Sequence, residues 1–528
     1  MPPKPAQRAT PGIALGENVV PRTSIAAVLV PLLMSANAVH AADEIHWTIT
    51  GPASASFDWR GPEQVIRFGL TRSYGDSVDA VTPNPLPFSS AGPFWEARLT
   101  GLQPGTLYHY SIGGSTDHTF RTAPQPGQSN FTVYVEGDIG STADFLRAGI
   151  VQGIMGSSPP TFALLVGDLT YAGSNGQGSV DQHFNDVMAW SLDAAYMPAW
   201  GNAEWDRSTD DFRNYKGRFD LPNPQISPNS PQPGGIGEDW YWFDYGNTRF
   251  IAYPEPFSGA WADWYPKARA LMDSAQANPT LTFIVTMGHR PAYSSGHHPG
   301  SPSLKGYLDS LGTTHPKYVL NLNGHSHGYE RTYPQHGVTH ITAGTGGANL
   351  EEDPTGTCLW LSGCPPPSWS AFRAYHHGFV KLTFTSTAII EQAICGPPGD
   401  TGTNQNDLIC TQGNEFDGVV IKPNGVTTGV EPLAKGSALS ASLTPNPVHQ
   451  EAILTFTMPQ AGRARIRVLD LNGRLVLRAL DTPHFDAGQH AVFLDVRDDR
   501  GVRLPSGMYF YRIETASGSI TQPFAILK

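Results

Sequence analysis

Basic residues are scarce in this sequence: 34 lysines and arginines stand against 46 aspartates and glutamates, a formal net charge of -12. No basic stripe interrupts that balance, which excludes a nucleic-acid backbone as partner, because phosphate polymers are held by clustered cations. Any smaller phosphate bound here needs local cations. Long hydrophobic runs are missing too. After the N-terminal segment no stretch approaches the ~18 apolar residues of a membrane-spanning helix, so no transmembrane segment is expected. Cysteine is rare, with four in the chain. None stands in a C-x-x-C pair, which argues against a thiolate zinc site. Gly344-Thr345-Gly346-Gly347 lacks a following Lys-Ser/Thr, so it reads as a turn beside a sheet rather than a nucleotide loop.

Length and turn chemistry are plentiful. A chain of 528 residues exceeds one ordinary core, so several domains are expected. The 56 glycines and 46 prolines, with 12 Trp, 19 Tyr and 24 Phe, indicate β structure and many turns around real cores. At the N-terminus Lys4, Arg8 and Arg22 precede the apolar run 26–34, and Val39-His40-Ala41 supplies a small-x-small site. That is the pattern of an export signal over residues 1–41. An oxidising destination suits disulfides among Cys358, Cys364, Cys395 and Cys410, which lie in Gly/Pro-rich stretches. Neighbours pairing, Cys358 with Cys364 and Cys395 with Cys410, is preferred among three possible arrangements.

Residues 42–124 show short alternating strands broken by turns, which reads as a small β-sandwich. After a Gly/Thr/Ser/Ala-rich linker at 425–440, Arg463, Arg465 and Arg467 alternate with Ala464, Ile466 and Val468. Asn472-Gly473 then offers a hairpin turn, so a second sandwich is expected over 441–528.

Between these, over 125–424, five β-branched and aromatic runs each end at glycine beside a metal-binding residue type. Run 131–135 leads to Gly137-Asp138, 162–166 to Gly167-Asp168, 196–200 to Gly201-Asn202, 281–287 to Gly288-His289, and 318–322 to Gly324-His325-Ser326-His327. Layered α/β folds gather ligands at the carboxyl ends of strands, so five such ends can converge on one cleft. Asp138, Asp168, Asn202, His289, His325 and His327 offer oxygen and imidazole donors without thiolates, a set suited to Fe, Zn or Mn. Their number exceeds one ion's need. A carboxylate shared by two ions accounts for the surplus and makes a clamp for a phosphoryl group.

The ordered series Gly137-Asp138, Gly167-Asp168-Leu169-Thr170-Tyr171, Gly201-Asn202-Ala203-Glu204, Gly288-His289 and Gly324-His325-Ser326-His327 resembles the metallophosphoesterases. Tyr171, three after the second Asp, marks the resemblance as one to the purple acid phosphatases. That family implies a multidomain α/β plus all-β chain with a four-layer α/β/β/α catalytic domain. It implies that Asp138, Tyr171 and His327 bind one ion and that Asp168 bridges to a second, completed by Asn202, His289 and His325. Ferric iron with Zn, Fe or Mn would be the pair, and a small phosphate monoester the substrate. His297 and His298 resemble the family's substrate-binding histidines, with their correspondence open. The family's His after the ligand Asn is replaced by Ala203, which removes a substrate-facing imidazole but no metal ligand.

Residues 99–110 resemble the closing half of a fibronectin type III domain, a module that larger purple acid phosphatases carry in this position. The segments Thr444-Pro445-Asn446-Pro447, Asp470-Leu471-Asn472-Gly473-Arg474 and 506–512 resemble the immunoglobulin-like sorting domains of bacterial exported proteins. They imply a secreted, periplasmic or cell-surface location and contact with secretion machinery. His183, His336, His340 and His376-His377 read as structural. Arg290 and Arg331 adjoin the ligand motifs and face either phosphate or a nearby carboxylate. Two other readings compete: a phosphodiesterase or nucleotidase of the same fold, and an exported metal-binding surface protein whose catalysis has weakened.

Overall fold

The computed structural model describes residues 42–527 except 206–208, 234–236, 352–365, 399–409, 424–438 and a few short stretches beyond 449. The expected export signal, most of the expected linker, Asn472, Cys358 and Cys364 fall outside the described residues.

The first strands form two antiparallel sheets. Asp43–Gly51, Ser54–Arg60 and Phe94–Leu99 make one, and Asp76–Asp79, Val65–Gly69, Leu107–Ile112 and His118–Arg121 the other. Aromatic side chains join them: Phe57 of the first meets Tyr110 and Phe120 of the second, with ring centroids 4.8 and 5.1 Å apart. Arg218, from the central region, donates to Glu44 at 2.9 Å and to Asp181 at 2.9 Å. This unites the first strand with the helix Gly178–Asp186.

Two large mixed sheets follow. The first runs Ala195–Ala199, Phe162–Val166, Phe131–Glu136, Gly378–Phe384, Ile389–Cys395, Glu415–Ile421, and its first three strands are parallel. The second has seven strands, in which Thr248–Ala252, Phe283–Met287, Tyr318–Asn323 and Thr339–Ala343 are parallel neighbours. Parallel strands buried on both faces read as continuous apolar runs, and all five residues of Phe162–Val166 and of Phe283–Met287 are buried. The sheets face each other through Phe131–Tyr245 and Phe162–Phe250 ring contacts at 4.8 and 5.5 Å. Helix Leu146–Ser157 packs on the first sheet, where Gln152 Nε2 donates to Glu136 at 2.9 Å. Helix Ala260–Ala277 packs on the second, where Trp264 donates to the Ala252 carbonyl at 2.8 Å.

The last strands form sheets of three and four strands around their own core of Leu454, Phe456, Ile466, Val468, Ile513 and Phe524. On Gly462–Leu469 the alternation expected from sequence is present: Ala464, Ile466 and Val468 are buried, while Arg463, Arg465 and Arg467 face outward. No helix among the described residues is long and apolar enough to cross a membrane.

Candidate metal centre

Five parallel strand ends meet at one place. Asp138 follows Phe131–Glu136, Asp168 follows Phe162–Val166, Asn202 follows Ala195–Ala199, His289 follows Phe283–Met287, and His325 and His327 follow Tyr318–Asn323. Carboxylate or imidazole donor atoms of Asp138, Asp168 and His289 all lie within 4.8 Å of one another, and all three residues are buried. His289 Nε2 is 3.3 Å from Asp168 Oδ1, and His327 Nε2 is 3.3 Å from Asp138 Oδ1. The Tyr171 hydroxyl is 3.3 Å from His327 Nε2.

The glycines of the sequence pattern exist because these ends crowd together. A Cβ at Gly201 would lie 2.2 Å from Asp168 Oδ1, and one at Gly324 2.5 Å from Asp138 Oδ2. Three donors themselves adopt left-handed backbone: Asp138 at φ 56°, Asp168 at 49° and His325 at 70°. Such conformations cost roughly 1–3 kcal/mol each and persist where the surroundings hold them for a purpose.

Hydrogen bonds aim each donor. His289 Nδ1 lies 3.0 Å from the Val166 carbonyl and His327 Nδ1 2.7 Å from the Asn349 carbonyl. A carbonyl only accepts, so both Nδ1 atoms carry a proton and both Nε2 atoms turn inward toward the carboxylates. The Ala203 N–H donates to Asp168 Oδ1 at 2.8 Å, and the His325 N–H to Asp138 Oδ2 at 2.8 Å. Glu204 accepts from the backbone of Asp168, Leu169 and Gly201 at 3.0, 2.8 and 2.7 Å, tying two strand ends together.

These groups fit a cation. Asp138 Oδ1, Asn202 Oδ1 and His289 Nε2 are buried and accept no hydrogen bond, a costly state unless something else takes their lone pairs. Burial opposes charge on His327, yet the Asp138 carboxylate pushes its pKa up to about 9, so a cation taking the Nε2 lone pair would displace that ring's second proton. His289, buried among other cations, is pulled down to about 4 by that burial.

His297 is exposed and His298 half-buried. The His298 ring stacks on His325 with centroids 4.1 Å apart, and its Nε2 is 3.2 Å from Glu351 Oε1. His298 is thus the member of the pair set against the centre, while His297 stands beside it with ring centroids 5.0 Å apart. Of the two arginines, Arg331 does not face the cleft. Its guanidinium is buried in a two-pronged pair with Asp417 at 2.7 and 2.8 Å. Arg290 does reach the centre, 2.5 Å from His325 Nε2. Glu204 and Glu351 received no role from the sequence. Glu204 sits two positions after Asn202, a spacing that signalled its place; Glu351 carries no local signal. His183 and His340 are buried structural histidines, and His376 lies against the Cys395–Cys410 disulfide.

Residues 131–329 match the family described as calcineurin-like phosphoesterase, 337–392 that described as iron/zinc purple acid phosphatase-like protein C, and 442–527 the secretion system C-terminal sorting domain. Among curated proteins, the chain is 26% identical over 412 residues to human acid phosphatase type 7, covering 65% of this chain and 84% of that protein. It is 28% identical over 335 residues to "Probable inactive purple acid phosphatase 1" of Arabidopsis thaliana, covering 54% and 53%. To purple acid phosphatase 15 of the same plant it is 26% identical over 341 residues, covering 54% and 60%. The chain therefore spans only a little over half the length of those two plant relatives. A purple acid phosphatase from yellow lupin seeds shares the fold, with a TM-score of 0.53 at 20% identity over 72% of this chain and 74% of that one.

Proposed function

We propose that this chain, which carries purple acid phosphatase-like metallophosphoesterase domains and a C-terminal sorting domain, is an exported binuclear hydrolase of phosphate monoesters. The observation that carries this reading is the convergence of three buried donor atoms that accept no hydrogen bond, Asp138 Oδ1, Asn202 Oδ1 and His289 Nε2, at three of the five strand ends. Asp138, Tyr171 and His327 would hold one ion, and Asn202, His289 and His325 the other, with Asp168 between them. Ferric iron with Zn, Fe or Mn matches these donors. When bound, such a pair supplies an activated water and neutralises charge developing on the phosphoryl group.

The chain's own residues do the remaining work. The Ala203 N–H and the Glu204 carboxylate fix the Asp168 turn, so this carboxylate would need no reorganisation to serve both ions. His298, held by Glu351 against the His325 ring, is placed to donate to a phosphate oxygen or to the departing alkoxide, with His297 beside it. Residues 42–124 are read as the fibronectin type III-like module, 125–424 as the catalytic domain and 441–528 as the sorting domain that directs export to the cell surface.

Ala203 favours a second reading, in which the exported centre binds metal and phosphate but turns over weakly, since one proton donor is replaced by a methyl group. Steady-state kinetics of wild type and Ala203→His on alkyl and aryl phosphate monoesters, with diesters alongside, separate the readings. The hydrolase reading expects monoester turnover in wild type. It also expects Ala203→His to raise rates most, by up to roughly 100-fold, for alkyl esters with poor leaving groups. Absence of monoester turnover in metal-loaded wild type would overturn it, and faster diester turnover would move the assignment to a phosphodiesterase.

A further inference from the structure

His325 is enclosed by two rings and a guanidinium. It stacks on His298 and meets His289 nearly edge-on, with centroids 4.9 Å apart at 65°. Arg290 Nη1 lies 2.5 Å from its Nε2. Arginine has donors only, so Nε2 lends Arg290 its lone pair, and the neutral ring carries its single proton on Nδ1. Binding of a cation by His325 is incompatible with this arrangement. The ion takes the lone pair of one ring nitrogen while the other bears the proton. No acceptor is then left for Arg290.

The other side of the guanidinium is anchored. Arg290 Nε donates to Glu255 Oε1 and Oε2 at 3.2 and 3.1 Å, and Nη2 lies 3.1 Å from Oε2. The Glu255 side chain is 1% exposed and that of Arg290 23%. Trp205, directly after the Asn202–Glu204 turn, also donates to Glu255, at 3.3 Å. The base of Arg290 is therefore fixed to the same carboxylate as the turn bearing Ala203, while the Nη1 edge loses its partner when His325 takes an ion.

We propose that Arg290 is a phosphate-binding side chain whose guanidinium competes with the second ion for the His325 lone pair, so that ion binding there frees its Nη1 edge for phosphate oxygens. This rests on the reading of the centre as a metal pair that binds phosphate. A guanidinium matches phosphate with parallel N–H donors, and it supplies a positive group on the side of the cleft where Ala203 offers none. The two roles have opposite signs: Arg290 opposes the second cation and favours the anion.

That opposition gives the test. Metal-depleted full-length wild type, Arg290→Gln and Arg290→Lys are titrated calorimetrically with zinc alone, and the zinc-loaded proteins are then titrated with orthophosphate. Arg290→Gln is expected to bind the second zinc about three- to tenfold more tightly and orthophosphate roughly tenfold more weakly. Arg290→Lys, which keeps the charge without the fork, is expected to retain part of the orthophosphate affinity. A merely structural arginine would lower both affinities when removed, and that result, or no change in either, overturns the proposal. Failure of wild type to take a second zinc or to bind orthophosphate would instead overturn the metal-pair reading, and this inference with it.

Discussion

Tyr171 shows at a single residue what a cation would have to overcome. Burial first, then the Asp138 and Asp168 carboxylates, hold its pKa well above the ordinary phenol value, so a phenolate forms here only beside a highly charged ion. If Tyr171 is that ligand, iron-loaded, oxidised protein absorbs in the visible, and Tyr171→Phe loses the band while retaining most of the metal. Visible absorption alongside iron content checks this; a colourless iron-loaded wild type would refute it. Residue by residue, legibility followed locality. Asp138, Asp168, Asn202, His289, His325 and His327 stood out because each follows an apolar run and a glycine, and the structure brings them together. Glu351 did not stand out, because its contacts with His298 and the His327 N–H depend on chain segments far apart in sequence.

Among elements, strands were more legible than the links between them. Runs buried on both faces announce themselves by composition, and the expected run at 196–200 is displaced by only one position in the strand Ala195–Ala199. What fixes the His297-His298 loop was invisible, because it is assembled by tertiary structure. Glu330, on the strand Tyr329–Thr332, accepts from the Ser295 N–H at 2.9 Å, from the Ser295 hydroxyl at 2.5 Å, and from Ser370 and Arg373 at 2.7 and 2.8 Å. Its pair with Arg373 is buried, each side chain 1% exposed. Breaking such a pair leaves an uncompensated charge, so Arg373→Ala is expected to cost about 3–5 kcal/mol. Urea unfolding measures this, and a loss under about 1 kcal/mol would show that the clamp contributes little.

For the whole molecule, buried histidines shape the response to acid. His183 is fully buried, with Nδ1 3.0 Å from the Gly140 carbonyl and Nε2 2.8 Å from the Tyr196 hydroxyl, a neutral ring with both nitrogens satisfied. Burial lowers its pKa to about 4 from the usual 6.5. Its stabilisation is therefore complete above pH 6.5 and is lost as pH falls through the window down to about 4, where the unfolded chain binds the extra proton. Thermal melting across that window should fall less steeply for His183→Gln than for wild type; identical slopes would contradict the assignment. At this scale the sorting segment was legible from its turn motifs. The facing of the two large sheets was not, since it is set by aromatic contacts such as Phe162–Phe250 between distant strands. Elemental analysis of purified, metal-saturated wild type and Asp168→Ala decides whether two ions share the Asp168 carboxylate. Two ions per wild-type chain and loss of both in the variant are expected if one carboxylate serves both; one ion or none in wild type, or an unchanged content in the variant, would contradict it.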